Sequence, residues 1–196
     1  MKQLAVKFLL AFALILSQSS CKEDPCAGIE CNNAICVEGV CECDSGYTGV
    51  NCTEEITPTS VKIRNIRVIK IPEFNKDENG NDIFWDEVGG NAPDLFFEIT
   101  ISCDPPHKVS SAVIPEYPYN ERIYLQFGPT IEEPEKEYII ELWDSDLIDV
   151  NEEFTDDLIF REKFTPYIRG TNFPEVVIFG NTDDPVILEI YLSYQF

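Results

Sequence analysis

Six of the eight cysteines in this 196-residue chain crowd into one short stretch: Cys26, Cys31, Cys36, Cys41, Cys43 and Cys52. Their spacing is C-x4-C-x4-C-x4-C-x-C-x8-C, with Gly46, Tyr47 and Gly49 inside the last interval. So small a segment has few apolar residues, and burial alone does not offset its conformational entropy. It holds a fold only if cross-links restrict the unfolded chain. Such cross-links belong outside the reducing cytosol, so the stretch implies an exported protein. Six cysteines allow fifteen pairings, and spacing alone does not choose among them.

The residues Cys41-Glu42-Cys43-Asp44-Ser45-Gly46-Tyr47-Thr48-Gly49-Val50-Asn51-Cys52 resemble the closing C-x-C-x-x-G-[YF]-x-G-x-x-C run of the epidermal-growth-factor-like (EGF-like) domain. The resemblance covers about residues 24–53. It implies the pairs Cys26 with Cys36, Cys31 with Cys41, and Cys43 with Cys52. The glycines suit positive-φ turns in the final loop, and Tyr47 is expected to pack over the last hairpin. Calcium-binding members of that family carry an acidic D-x-[DN]-[EQ] run before the first cysteine. Here the residues are Lys22-Glu23-Asp24-Pro25-Cys26, so no calcium is expected in this module.

The N-terminus reads as an address. Lys2 and Lys7 precede an apolar run over residues 8–16 that is too short to span a bilayer, so residues 1–20 read as an export signal. The run ends Leu16-Ser17-Gln18-Ser19-Ser20-Cys21, which resembles the lipobox of bacterial lipoproteins, with Gln18 in the loose form that resembles those of the Bacteroidota. The resemblance implies a lipid on Cys21 and a tether over residues 21–25. Lys22-Glu23-Asp24 resembles the export tag that sends such lipoproteins to the outer face of the outer membrane. The implied location is the outer membrane, lipid-anchored and exposed at the cell surface. With Cys21 lipidated, Cys103 remains as a small apolar residue in a strand; without the lipid, the two could pair. Asn51-Cys52-Thr53 formally matches a glycosylation sequon, an empty match in a bacterium.

The formal charge is −22, and removal of the signal, which contains two lysines and no acid, brings it to about −24. Beyond the scattered Lys62, Arg64, Arg67 and Lys70 there is no basic cluster, so nucleic-acid binding has no electrostatic support. Polar residues 53–60, with Pro58, read as a linker between the EGF-like module over 26–52 and one domain over 61–196. That domain is strand-like nearly throughout. Residues 61–71 mostly alternate apolar and polar, and further strands are predicted over 94–102, 122–127, 137–143, 158–164, 176–179 and 186–194. With no sustained helical periodicity, the expectation is all-β: an antiparallel β-sandwich of seven or eight strands.

Two acidic segments stand out from the scattered surface acids. One runs over residues 74–86 and on through Pro93-Asp94-Leu95-Phe96-Phe97, and the other is Trp143-Asp144-Ser145-Asp146 followed by Asp156-Asp157-Leu158-Ile159. Both place acids at the ends of aromatic-rich strands. An Asp-x-Asp pair leaving a strand can aim both carboxylates one way, since i and i+2 share a face. Crowded acids without a cation repel, and Ca2+ takes six to eight oxygens at about 2.3–2.6 Å. In this order on a sandwich the segments resemble the C-two (C2) domain, a calcium- and phospholipid-binding module. The resemblance implies Ca2+ ligands at Asp86 and Asp94 from the first loop and at Asp144, Asp146 and Asp157 from the third, with Asp149 as a further position. The first loop is longer than in that family, so Asp77 or Asp82 could replace Asp86, and Glu152 competes in the third; Phe160 stands where the family has Gly. Asn75, Asp77, Asn79, Gly80 and Asp86 also fall at EF-hand positions, but position 12 is Asp and neither flank is helical, so that reading is rejected.

No H-E-x-x-H, G-x-S-x-G or phosphate loop occurs, and the only histidine, His107, lies in a loop or edge position. Paired carboxylates could serve glycoside hydrolysis, but their spacing does not favour it over cation binding. The expectation is a non-catalytic surface lipoprotein. Its sandwich binds calcium and mediates binding or adhesion to a protein or glycan partner, without nucleic acid. Phospholipid binding finds no basic groove, although calcium could bridge that repulsion. The alternative is a metal-free structural accessory subunit of an outer-membrane complex.

Overall fold

The computed structural model describes residues 23–85, 92–101, 107–118, 122–146 and 156–196. Cys21, Asp86, Cys103, Asp149 and Glu152 lie outside the described residues. The chain divides into two compact units between Glu54 and Glu55. Among the described residues no helix is long and apolar enough to cross a membrane.

In the first unit β1 (Ala34–Val37) and β2 (Val40–Cys43) form an antiparallel hairpin with Val37 opposite Val40. Its two turn residues, Glu38 and Gly39, both have positive φ, the geometry of a two-residue type I′ turn. A short strand β3 (Tyr47–Thr48) follows, and β4 (Glu54–Glu55) lies at the boundary. Cys26 bonds Cys36, Cys31 bonds Cys41, and Cys43 bonds Cys52, the pairing the EGF-like resemblance implies. Ile35, Val40 and Val50 are exposed, so these cross-links rather than an apolar core hold the unit.

The second unit is an antiparallel sandwich. Its strands are β5 (Ser60–Lys70), the small hairpin β6 (Asn75–Lys76) and β7 (Asp82–Ile83), β8 (Leu95–Ile101), β9 (His107–Ser110), β10 (Ile123–Leu125), β11 (Thr130–Ile131), β12 (Tyr138–Asp144), β13 (Asp157–Phe164), β14 (Val176–Phe179) and β15 (Ile187–Gln195). One sheet runs β13-β12-β8-β9; the other runs β10-β5-β15-β14, with β11 also pairing β5. Because β10 and β11 take successive stretches of β5, they share one edge position and the sandwich has four positions per sheet. The predicted all-β class holds, and all seven strands predicted by range form, as β5, β8, β10, β12, β13, β14 and β15. Strands β6, β7, β9 and β11 are additions: β9 is a mostly exposed edge strand with little apolar alternation.

Alternation along the strands builds the core. Val61, Ile63, Ile66 and Val68 of β5 and Leu188, Ile190 and Leu192 of β15 face Leu95, Phe97 and Ile99 of β8 and Tyr138, Ile140 and Leu142 of β12, all 2% exposed or less. Each such side chain contributes about 1.5–3 kcal/mol of burial. Phe160 packs edge-on against Phe179 with ring centroids 5.8 Å apart. On the solvent side of β12, Glu141 is only 2% exposed. Arg161 Nε donates to it at 2.6 Å, and Lys108 Nζ stands 3.7 Å away.

Glu55 fastens a loop of this unit. Its carboxylate accepts from Tyr167 Oη at 2.9 Å, Gly170 N at 2.7 Å and Asn172 N at 2.9 Å. Burial alone would raise its pKa, but those donors outweigh it and hold the carboxyl below its usual range.

Candidate functional site

The acids of the third-loop motif reach the sheet end through a backbone irregularity. Leu142 lies opposite Phe160 but Trp143 lies opposite Leu158, so Ile159 is an extra residue in β13. Inserting one residue shifts the side-chain alternation, as a β-bulge does. Asp157 therefore sits directly opposite Asp144 and shares its face. On the other side Asp144 is opposite Leu95, whose predecessor is Asp94. Three acids far apart in sequence thus meet at one end of the four-stranded sheet.

Asp144 is fully buried. Its Oδ1 accepts from the Asp94 backbone N at 2.6 Å, and the Asp94 carbonyl accepts from Ser145 N at 2.8 Å, so the third-loop strand grips the start of β8. Asp94 Oδ1 accepts from Glu116 N at 2.6 Å. Glu116 has φ +48°, a left-handed conformation that disfavours a non-glycine residue and that the Asp94 carboxylate offsets. From the β6–β7 hairpin, Asn75 donates its side-chain amide to Asp157 Oδ2. Burial pushes the Asp157 carboxyl above its usual range; Asn75 lowers it, and the neighbouring Asp156 raises it further.

Register places Asp94, Asp144 and Asp157 at the same end of the sheet, with Asp146 two residues past Asp144 and partly exposed. Asp86 lies outside the described residues. Asp77 and Asp82 are occupied elsewhere. Asp77 accepts from Asn79 N at 2.9 Å and Asn81 N at 2.7 Å to close the hairpin turn, and Asp82 pairs with Lys76. Among the described residues no three His, Cys, Asp or Glu side chains stand close enough to hold a metal ion together. The donor set is oxygen-rich, which suits Ca2+ in chemistry. Two participants escaped the sequence: Asn75, an amide 82 positions from its partner, and Glu116, which enters through its backbone.

No protein-family model and no curated protein matches the chain. Solved structures do match. A structure described as that of a C2 domain is 12% identical over 68% of this chain and 94% of its own, with a TM-score of 0.41. A C2 domain of plant extended synaptotagmin 1 is 17% identical over 71% of this chain and 97% of its own, with a TM-score of 0.39. Human GIVD cytosolic phospholipase A2 is 14% identical over 70% of this chain with a TM-score of 0.38, and the match spans only 18% of its own length. What the sheets and disulfides define by themselves is an all-β chain with a small cross-linked module and an antiparallel sandwich.

Proposed function

We propose that this chain is a non-catalytic surface lipoprotein, anchored by a lipid on Cys21, whose sandwich binds Ca2+ at its acidic end and presents a recognition surface to a protein or glycan partner. The observation that carries the calcium reading is the register that sets Asp94, Asp144 and Asp157 at one end of the sheet, with burial and Asp156 both disfavouring the ionised form of Asp157. A cation beside these carboxylates would relieve that cost. Asp146, and Asp86 from the first loop, would complete the oxygen set, as the C2 resemblance implies. The Ca2+ would bring the two loops into one rigid surface, with no bond made or broken.

Thermal unfolding in excess EDTA and then in millimolar calcium tests the reading. A ligand that binds only the folded state raises its stability, by about 2.7 kcal/mol at a hundredfold excess over its Kd. A calcium-dependent rise in midpoint, lost in the double variant Asp144→Asn, Asp157→Asn, is the expected result; an unchanged midpoint rejects the metal. One observation favours the metal-free accessory reading instead: Asp94, Asp144 and Asp157 each already accept a hydrogen bond from the protein. A partner that co-purifies in EDTA and leaves the calcium midpoint flat would select it.

A further inference from the structure

We propose that the solvent face of the other sheet, β10-β5-β15-β14, is a binding platform for a neutral saccharide chain. The basic residues of β5 look scattered in sequence, but register gathers one of them into a cross-strand network. Arg67 lies opposite Tyr124 of β10 on one side and Glu189 of β15 on the other, and Glu189 lies opposite Ile178 of β14. Since Ile66, Val68, Leu188 and Ile190 point into the core, these partners point outward. Two residues along the same regular register, Tyr191 lies opposite Asn65 on the same outer face.

The polar groups are held in place before any ligand arrives. Arg67 Nη2 lies 2.5 Å from Glu189 Oε2, and Arg67 Nη1 donates to Tyr124 Oη at 3.0 Å. Tyr191 Oη donates to Glu189 Oε2 at 2.7 Å. The guanidinium also lies 5.6 Å from the Tyr124 ring centroid. Four side chains from three strands are therefore fixed in one row, which lowers the ordering cost of binding.

The remaining valences select the ligand. The Tyr124 hydroxyl accepts from Arg67, so its own proton is available to donate. The Tyr191 hydroxyl donates to Glu189, so its lone pairs are available to accept. A donor on Tyr124 and an acceptor on Tyr191 match hydroxyl groups, which do both, and the exposed side chains of Tyr124 and Ile178 suit the C–H face of a sugar ring. Charge decides between neutral and acidic saccharides. Arg67 and Glu189 cancel each other, and a chain of formal charge −22 repels polyanions.

The test is isothermal titration of the purified protein with cellohexaose, mannohexaose, maltohexaose and laminarihexaose, with an oligogalacturonate as the charged arm. At least one neutral hexasaccharide is expected to bind saturably with Kd below about 1 mM. Tyr124→Ala, at a residue 56% exposed, should weaken it about tenfold or more with an unchanged melting midpoint. Tyr124→Phe, which keeps the ring, should lose less. EDTA should leave binding unchanged, which separates this platform from the calcium reading. Absence of binding by all four neutral chains at about 10 mM, binding of the oligogalacturonate alone, or loss of binding in EDTA would each overturn the proposal.

Discussion

Replacing Asp144 by Ala removes the acceptor that pins the residue preceding β8. The bond runs from the Asp94 backbone N–H to a carboxylate oxygen at 2.6 Å, and Asp144 is fully buried. A hydrogen bond to a charged group contributes about 1.5–3 kcal/mol, and the part-buried donor left behind adds part of its desolvation cost, so the loss is about 2–4 kcal/mol. For a folding unit of this size each kcal/mol is about 2–4 °C, so the midpoint should fall by roughly 5–15 °C. Asp144→Asn keeps an oxygen acceptor and exchanges a charged bond for a neutral one, a cost of about 1 kcal/mol. The assay is circular-dichroism melting in excess EDTA at neutral pH, where no metal contributes. An Ala variant melting within about 2 °C of the parent, or an Asn variant falling as far as the Ala variant, would refute the claim that this carboxylate is an acceptor tying β12 to β8.

Other outcomes follow from the same geometry. Burial raises the folded-state pKa of Asp157 above its unfolded value near 3.8, so the folded state holds more protons in that window and metal-free stability falls as pH rises through it. Asp157→Asn should therefore raise the midpoint in EDTA at neutral pH and lower it, relative to the parent, in calcium; melting in both buffers checks the sign reversal. Glu55 has the opposite shift, so its contribution is present above about pH 4.5 and is lost as pH falls through its folded value; Glu55→Ala should flatten the acid limb of stability against pH. Arg161→Ala leaves the buried Glu141 with Lys108 at 3.7 Å and should cost about 2–4 kcal/mol by denaturant melting, while Arg161→Ala with Glu141→Leu should recover much of it. A reducing agent should unfold the first unit, whose three disulfides hold it, while the fluorescence of Trp85 and Trp143, both in the second unit, stays native.

The sandwich was legible where strands are half buried. The alternation of β5 and the apolar runs of β12, β13 and β15 each reflect a face packed against the opposite sheet. What stayed hidden has little such contrast: β9, His107-Lys108-Val109-Ser110, is a mostly exposed edge, and β6 and β7 are two residues each around a self-closing Asp77–Asn81 turn. The acidic end of the sheet was legible only as acids at strand ends, each of which accepts a hydrogen bond within the protein. Its wiring was not. The extra Ile159 that turns Asp157 toward Asp144, and the backbone donation of Glu116, depend on register rather than residue type. Register likewise assembles Tyr124, Arg67 and Glu189 from three separate strands, a row that no local window contains.

Calorimetric titration of calcium into the purified, EDTA-stripped protein, alongside the double variant Asp144→Asn, Asp157→Asn, tests the calcium site itself. Saturable binding by the parent and none by the variant is expected, with both chains folded by circular dichroism. A parent that takes up no calcium, or a variant that binds it as the parent does, would contradict the assignment of these carboxylates to a calcium site.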